Sequence, residues 1–262
     1  MIDVYTWEPN ANSGKPLLML TEKGAAFHYH YVDIGKREQH SPRYLEINPS
    51  GTVPTIIHDG HVMTESSPAL EYLDAALEGP ALRPREPYLR WRMRRWIRFL
   101  DFHYCPALAM FGGAGASRRM PAQDPAAIEE LVGRIPMPER RRVWRLIMAK
   151  QVPQAELDES DRRINAGIGL FEQALTEHPY LSGPAFGLAD IVALITIFAF
   201  PVLRPEEVND RKVPHLMDWL RRCHARPRTQ AAFKLGRGWV APRVEETRKL
   251  LGVPALAPGA AS

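Results

Sequence analysis

A small α/β unit with a mixed sheet, followed by an all-helical domain, is the architecture that this sequence predicts. Three observations carry the prediction. Residues 1–79 alternate short β-prone runs with helical patterns in the order β-α-β-(α)-β-β-α. Residues 80–87 then form a charged, proline-rich stretch that reads as a linker. From 88 to 251 only helical patterning is found, and 252–262 is an Ala, Pro and Gly tail expected to be unfolded.

Each element has its own local cause. Residues 2–6 are β-prone, and 12–24 place Leu17, Leu18 and Leu20 ahead of Gly24, a helix with its stop. The aromatic run 28–32 reads as a second strand. A polar stretch, 35–41, leads to one helical turn at 43–47 that ends before Asn48-Pro49. Residues 52–58 form the third strand, interrupted by Pro54, and Asp59-Gly60 turns it into an antiparallel partner at 61–64. Ala69, Leu70, Leu73 and Leu77 then mark a helical stripe over 66–76. In the second domain helices are expected at 88–104, 126–134, 138–152, 154–176, 188–199, 214–225 and 243–251.

Composition narrows the function. The chain has 262 residues, 45% of them hydrophobic and 24% charged, so it is long and apolar enough to bury a core without staples. Cys105 and Cys223 are its only cysteines, which excludes a disulfide framework and a cysteine-rich zinc site. The opening residues show no basic segment followed by a long apolar run, and 191–203 is too short to span a bilayer. A cytoplasmic protein is expected, with no membrane association. The net charge of +4 comes largely from arginine clusters at 90–98 and 140–145. These read as solvated helix faces, since no nucleic-acid motif accompanies them.

Several residues have two readings. Pro54 removes a ladder hydrogen bond, so it marks either an edge strand or a turn with a cis bond that presents the Val53 backbone to a ligand. Glu65-Ser66 opens a helix. Ordinary capping is one account; the other is an anion site with a carboxylate beside it, as an α-amino acid head requires. Asn12-Ser13 is a helix cap or a donor to a bound anion or thiolate. Gln39 and His40 are polar loop residues. HExxH, GxGxxG, GxSxG and P-loop patterns are absent, which removes support for metalloprotease, dinucleotide-binding, hydrolase and NTPase readings.

In order and spacing these pieces resemble a glutathione transferase. NPSGTVPTIIHDG followed by TESSPALEYL is similar to the glutathione-binding domain of that superfamily, and FGLADIVAL is similar to its capped core helix around Asp190. NANSGKP, EQHS, INPSGTVP and RIPMPERRRVWR resemble the bacterial β-etherase group, which cleaves lignin-derived β-aryl ethers. Gly187 departs from the family's serine or threonine cap, a small stability matter.

The resemblance implies an α/β thioredoxin-like N-terminal domain plus an all-α C-terminal helical domain. It implies a cytoplasmic, homodimeric enzyme using glutathione and an aromatic small-molecule substrate, with no metal and no nucleic acid. Ser13, with Asn12 as neighbour or substitute, would hydrogen-bond the glutathione sulfur. Gln39 and His40 would meet the glycyl carboxylate, Val53 before a cis Pro54 would pair with the cysteinyl backbone, and Glu65 and Ser66 would hold the γ-glutamyl head. The thiolate would displace phenoxide from the carbon α to a ketone. Tyr104, Phe111, Trp144, Met148 and the loop 7–10 are expected around the aromatic substrate. General conjugation or dehalogenation is the alternative activity, and a non-catalytic glutathione-fold binding protein is the alternative class.

Overall fold

The computed structural model describes residues 1–256. Four short strands, β1 (Ile2–Thr6), β2 (His28–Tyr31), β3 (Thr55–His58) and β4 (His61–Met63), form one sheet in the order β2-β1-β3-β4. β1 and β2 run parallel, while β3 is antiparallel to both β1 and β4. This is the mixed sheet that the alternating pattern predicts. The β3 strand begins at Thr55, so Pro54 lies just before it, after a cis peptide bond.

Helix α1 (Ala11–Lys23) joins the two halves of the molecule. Leu17, Leu18, Met19 and Leu20 are consecutive and all fully buried. A run with no exposed side arises because α1 touches α3 (Ser66–Ala76) in its own domain, and α9 (Leu188–Ile197) and α12 (Pro227–Phe233) in the other. Between these come a 3-10 turn at Glu38–His40 and the short α2 (Pro42–Ile47), capped by the Ser41 hydroxyl.

The segment after α3 is anchored at Leu82 and Arg83. Leu82 is buried, and its amide donates to the Asp74 carboxylate at 2.9 Å. Asp74 also pairs with Lys23 at 3.3 Å and Arg83 at 2.7 Å, and these partners hold its carboxyl below the usual range despite burial.

The second domain is helical throughout: α4 (Pro87–Phe99), a π-helical turn at Leu100–Tyr104, α5 (Cys105–Arg119), α6 (Pro125–Gly133), α7 (Pro138–Met148), α8 (Gln154–Glu177), α9, α10 (Phe200–Leu203), α11 (Pro214–Ala225), α12 and α13 (Ala241–Leu251). Three of these escape the sequence pattern, the four-residue α10 among them. α5 carries Pro106 and Gly112, Gly113 and Gly115, residues that weaken a helix on its own, and it is held by packing on α7 and α8. α12 is only seven residues long, too short for periodicity to register. The arginine clusters are not uniformly solvated either. Arg92 is buried and donates to the Ala174 carbonyl at 3.2 Å.

Asp190 on α9 is fully buried and organises the core. Its oxygens accept the amides of Leu181 at 2.8 Å, Ser182 at 3.1 Å and Gly187 at 3.1 Å, and the Trp219 indole at 2.8 Å. Gly187 is now explained, because a Cβ there would stand 2.4 Å from the Leu82 carbonyl. Leu188 donates to that same carbonyl at 2.9 Å, so the two segments approach too closely for a side chain. Of the tail expected to be unfolded, residues 252–256 are tied down. Arg248 donates to the Pro254 carbonyl at 2.7 Å, and Val253 and Leu256 pack against the core. Residues 257–262 lie outside the described residues.

Candidate functional site

The site is built at the ends of N-terminal elements, where the chain turns and backbone groups are free. Residues 7–10 connect β1 to α1. Gly14 lets this loop close on the helix, for a Cβ there would meet the Pro9 backbone carbonyl carbon at 2.6 Å and the Ile195 side chain at 2.6 Å. The loop before β3 is braced from inside. Tyr44 Oη donates to the Thr52 carbonyl at 2.6 Å, and Asn48 Nδ2 donates to the same carbonyl at 2.9 Å and to Thr55 Oγ1 at 3.0 Å. Held this way, Val53 has neither its amide nor its carbonyl paired with other backbone among the described residues. Those groups are available to an extended ligand.

Two clefts meet here. The larger, about 770 Å³, lies along α3, α4 and the π-helical turn and is lined by Glu71, Arg94, Arg98, Asp101 and Phe102, among others. The smaller, about 110 Å³, is lined by Thr52, Val53, Pro54, Thr64, Met137 and Arg140, among others. Asn12, Glu65 and Ser66 line both. They form the shared wall.

Beneath that wall sits a cation that sequence reading missed. Lys15 is fully buried, and its ammonium donates to Asp101 at 2.6 Å, Ser67 Oγ at 3.2 Å and Ser66 Oγ at 3.4 Å. It ties the start of α3 to the helical domain. Its only sequence signal is a lysine among α1's apolar residues. Glu65 occupies the N-cap position of α3 but its side chain caps nothing, leaving the carboxylate exposed.

The expected site residues divide. Asn12, Val53, Pro54, Glu65 and Ser66 are brought together. Ser13 is not at the wall: it is 6% exposed and lines neither cleft. One residue along a helix turns the side chain by about 100°, which sends Asn12 outward and Ser13 inward.

Gln39 and His40 line neither cleft; the His40 ring lies against Gly51. Gln39 is buried with Oε1 unpartnered, and His40 is half-buried with Nδ1 unpartnered. Burial, with Arg37 and Arg140 nearby, pushes the His40 imidazole down to about 4, so it is neutral at neutral pH. The cation facing the smaller cleft is Arg140 of α7, from a cluster expected to be a solvated face.

The aromatic residues expected around a substrate do not converge. Tyr104 is core and donates to the Ile164 carbonyl at 3.2 Å. Trp144 lies 5.3 Å from the Arg37 guanidinium, Phe111 lies 5.5 Å from that of Arg204, and Met148 packs with Ile128 and Val132. None lines either cleft. The loop 7–10 instead meets a partner far along the chain. Trp7 stands 4.7 Å from Trp239, and the buried Glu8 carboxylate accepts the amides of Arg237 at 2.8 Å and Trp239 at 3.1 Å.

Comparison with known proteins agrees with this layout. Residues 11–76 match the family "Glutathione S-transferase, N-terminal domain", and residues 137–227 match "Glutathione S-transferase, C-terminal domain". The chain is 35% identical over 242 residues to Protein LigF of Sphingobium sp. strain SYK-6, covering 89% of this chain and 93% of that one. The crystal structure of that protein, titled a beta-etherase, superposes with a TM-score of 0.82, covering 89% of this chain and 98% of that one. Glutathione S-transferase U19 of Arabidopsis thaliana is 27% identical over 212 residues, covering 79% of this chain and 77% of that one. A Sulfitobacter glutathione transferase homologue solved with bound glutathione shares the fold, with a TM-score of 0.63 at 21% identity over 88% of this chain and 96% of that one.

Proposed function

The chain belongs to the glutathione S-transferase family, and on that premise we propose that it is a glutathione-dependent β-etherase. The likeness to the beta-etherase LigF over nine-tenths of the chain carries this reading. In the reaction, the glutathione thiolate attacks the ether-bearing carbon α to a ketone. A C–S bond forms as the C–O bond breaks, and the electron pair leaves on phenoxide, which takes a proton from water. The ketone activates the carbon, so the protein has to bind both reactants, align them and favour the thiolate.

The site supplies groups for each part of glutathione. The free amide and carbonyl of Val53 suit the cysteinyl backbone as a short antiparallel pair. Glu65 offers a carboxylate to the γ-glutamyl ammonium, and the start of α3 at Ser66 offers N–H groups to its carboxylate. In this reading the sulfur lies beside Asn12, whose exposed amide is assigned as its donor in place of the buried Ser13. Gln39 and a neutral His40 contribute hydrogen bonds near the glycyl end, and Arg140 brings the charge. We assign the acceptor ring to the aromatic pair of Trp7, on the loop leading to Asn12, and Trp239, although neither lines a cleft. The same reading includes a cytoplasmic homodimer. The exposed aromatic face of Tyr88, Trp91 and Phe102, interleaved with arginines, is the surface we assign to the second copy.

Turnover of a β-aryl ether ketone and of a chloroarene, each with glutathione, tests the activity. Release of phenol with a glutathione thioether is expected from the ketone. Turnover of the chloroarene alone would replace this reading with general conjugation, which the likeness to the plant enzyme favours.

Asn12→Ala is expected to raise the glutathione thiol pKa in the complex and to slow turnover about tenfold, with Ser13→Ala having a smaller effect. Ultraviolet titration of the bound thiolate measures both. Arg140→Ala is expected to raise the glutathione KM about tenfold with little change in kcat, the loss of one charge-assisted contact. The dipeptide γ-glutamylcysteine, which lacks the glycyl carboxylate, should not distinguish this variant from wild type. Equal sensitivity of the two thiols would remove Arg140 from that role.

A further inference from the structure

A second set of converging donors lies at the far end of the sheet. The β2 strand reads His28-Tyr29-His30-Tyr31. Alternate side chains of a strand share a face, so His28 and His30 project together. Parallel pairing with β1 places Asp3 opposite His28 on the neighbouring strand. One oxygen, Asp3 Oδ1, stands 3.3 Å from His28 Nδ1 and 2.7 Å from His30 Nε2. The three donor atoms all lie within 4.8 Å of one another.

The Asp3–His28 separation of 3.3 Å is that of two ligands in a coordination sphere, and the 2.7 Å Asp3–His30 hydrogen bond opens by about 0.6 Å to admit an ion. Nitrogen and oxygen ligands at about 2.0–2.1 Å from a tetrahedral zinc ion are about 3.3 Å from each other. The His30 ring is held in place by stacking on Tyr5, with centroids 4.2 Å apart and planes 11° apart. The side chains are 60%, 40% and 31% exposed for His28, His30 and Asp3, which leaves the point on which they converge open to solvent and to further water ligands.

None of the three lines a cleft of the glutathione site, and Asp3 sits at the opposite end of β1 from the loop that leads to Asn12. We propose that Asp3, His28 and His30 form a surface site for one divalent transition-metal ion of the zinc type, separate from the glutathione site. Two imidazoles with one carboxylate favour zinc, copper(II) or nickel(II) over magnesium or calcium, which take oxygen-only sets.

Calorimetric titration of the tag-free protein with zinc chloride tests this directly. One ion per chain is expected, bound in the micromolar range, and cobalt(II) should bind there with a visible absorption band of a mixed nitrogen–oxygen set. Asp3→Asn, His28→Ala and His30→Gln should each weaken zinc at least tenfold, and the double variant at both histidines should abolish binding. His30→Gln keeps a planar group against Tyr5, and circular dichroism verifies that every variant is folded. Turnover with glutathione should be the same in all of them, and His61→Ala should bind zinc as wild type does. Wild-type zinc stoichiometry and affinity in the folded double variant, or no wild-type binding below millimolar zinc, would overturn the assignment.

Discussion

Glu65→Ala is expected to weaken glutathione binding by about 10- to 100-fold, the loss of one charge-assisted hydrogen bond with its ion pair. The carboxylate lies on the wall shared by both clefts, where an α-amino acid head would offer its ammonium. The fold should survive, because the Glu65 side chain is exposed and caps no amide of α3. Glu65→Gln preserves shape but not charge and should recover only part of the loss. Calorimetry with glutathione measures the dissociation constant, and thermal unfolding verifies the structure. Wild-type affinity in a folded Glu65→Ala protein would remove the residue from the site and, with it, the orientation of glutathione proposed here.

Asp190→Ala is expected to destabilise the protein by about 4 kcal/mol, at the severe end for a single substitution. Four N–H donors, from Leu181, Ser182, Gly187 and Trp219, converge on its buried carboxylate. Alanine would leave them without an acceptor where water does not reach. Each buried donor left unpaired costs about 1–3 kcal/mol, and partial relaxation keeps the sum below the simple total. Asp190→Asn should recover little, because its amide group would point one N–H at another. A fall in the unfolding midpoint on the order of 10 °C is expected. A shift of only a degree or two would mean that the network relaxes around the loss.

The chemistry of the helical domain follows the same geometry. α7 and α9 are distant in sequence from the N-terminal clefts, yet each contributes to their setting. Arg140 faces the smaller cleft, and Ile195 on α9 is the side chain that a Cβ at Gly14 would strike. A substitution on these helices can therefore change glutathione binding without touching the N-terminal domain. The aromatic pair Trp7 and Trp239 gives the same message, since Glu8 holds the 237–239 segment through its backbone amides.

Much of the architecture was legible in the residues. Strand and helix order, the turn at Val53-Pro54, and the helix opening at Glu65-Ser66 are local properties. Alternation, proline and short polar caps encode them within a few positions. The family motifs are also contiguous in sequence, so the resemblance could be read without coordinates. The longest helix that periodicity did not find is α5, because three glycines and a proline hide a helix that α7 and α8 hold in place; α10 and α12 were too short to register.

The sequence by itself determined the two-part fold and the family, and it pointed to Val53, Glu65 and Ser66 as candidate groups, which the structure brings to one wall. Only the tertiary structure decided which neighbour of the Asn12-Ser13 pair faces the cleft, that His40 is neutral, that Arg140 faces the smaller cleft, and that Lys15 is buried against Asp101. It also assembled Asp3, His28 and His30, twenty-seven residues apart at their extremes, into one donor set. The physical reason is the range of the forces. Strand and helix formation are settled by neighbours along the chain, whereas burial, electrostatic environment and the convergence of donors depend on groups that meet only after folding.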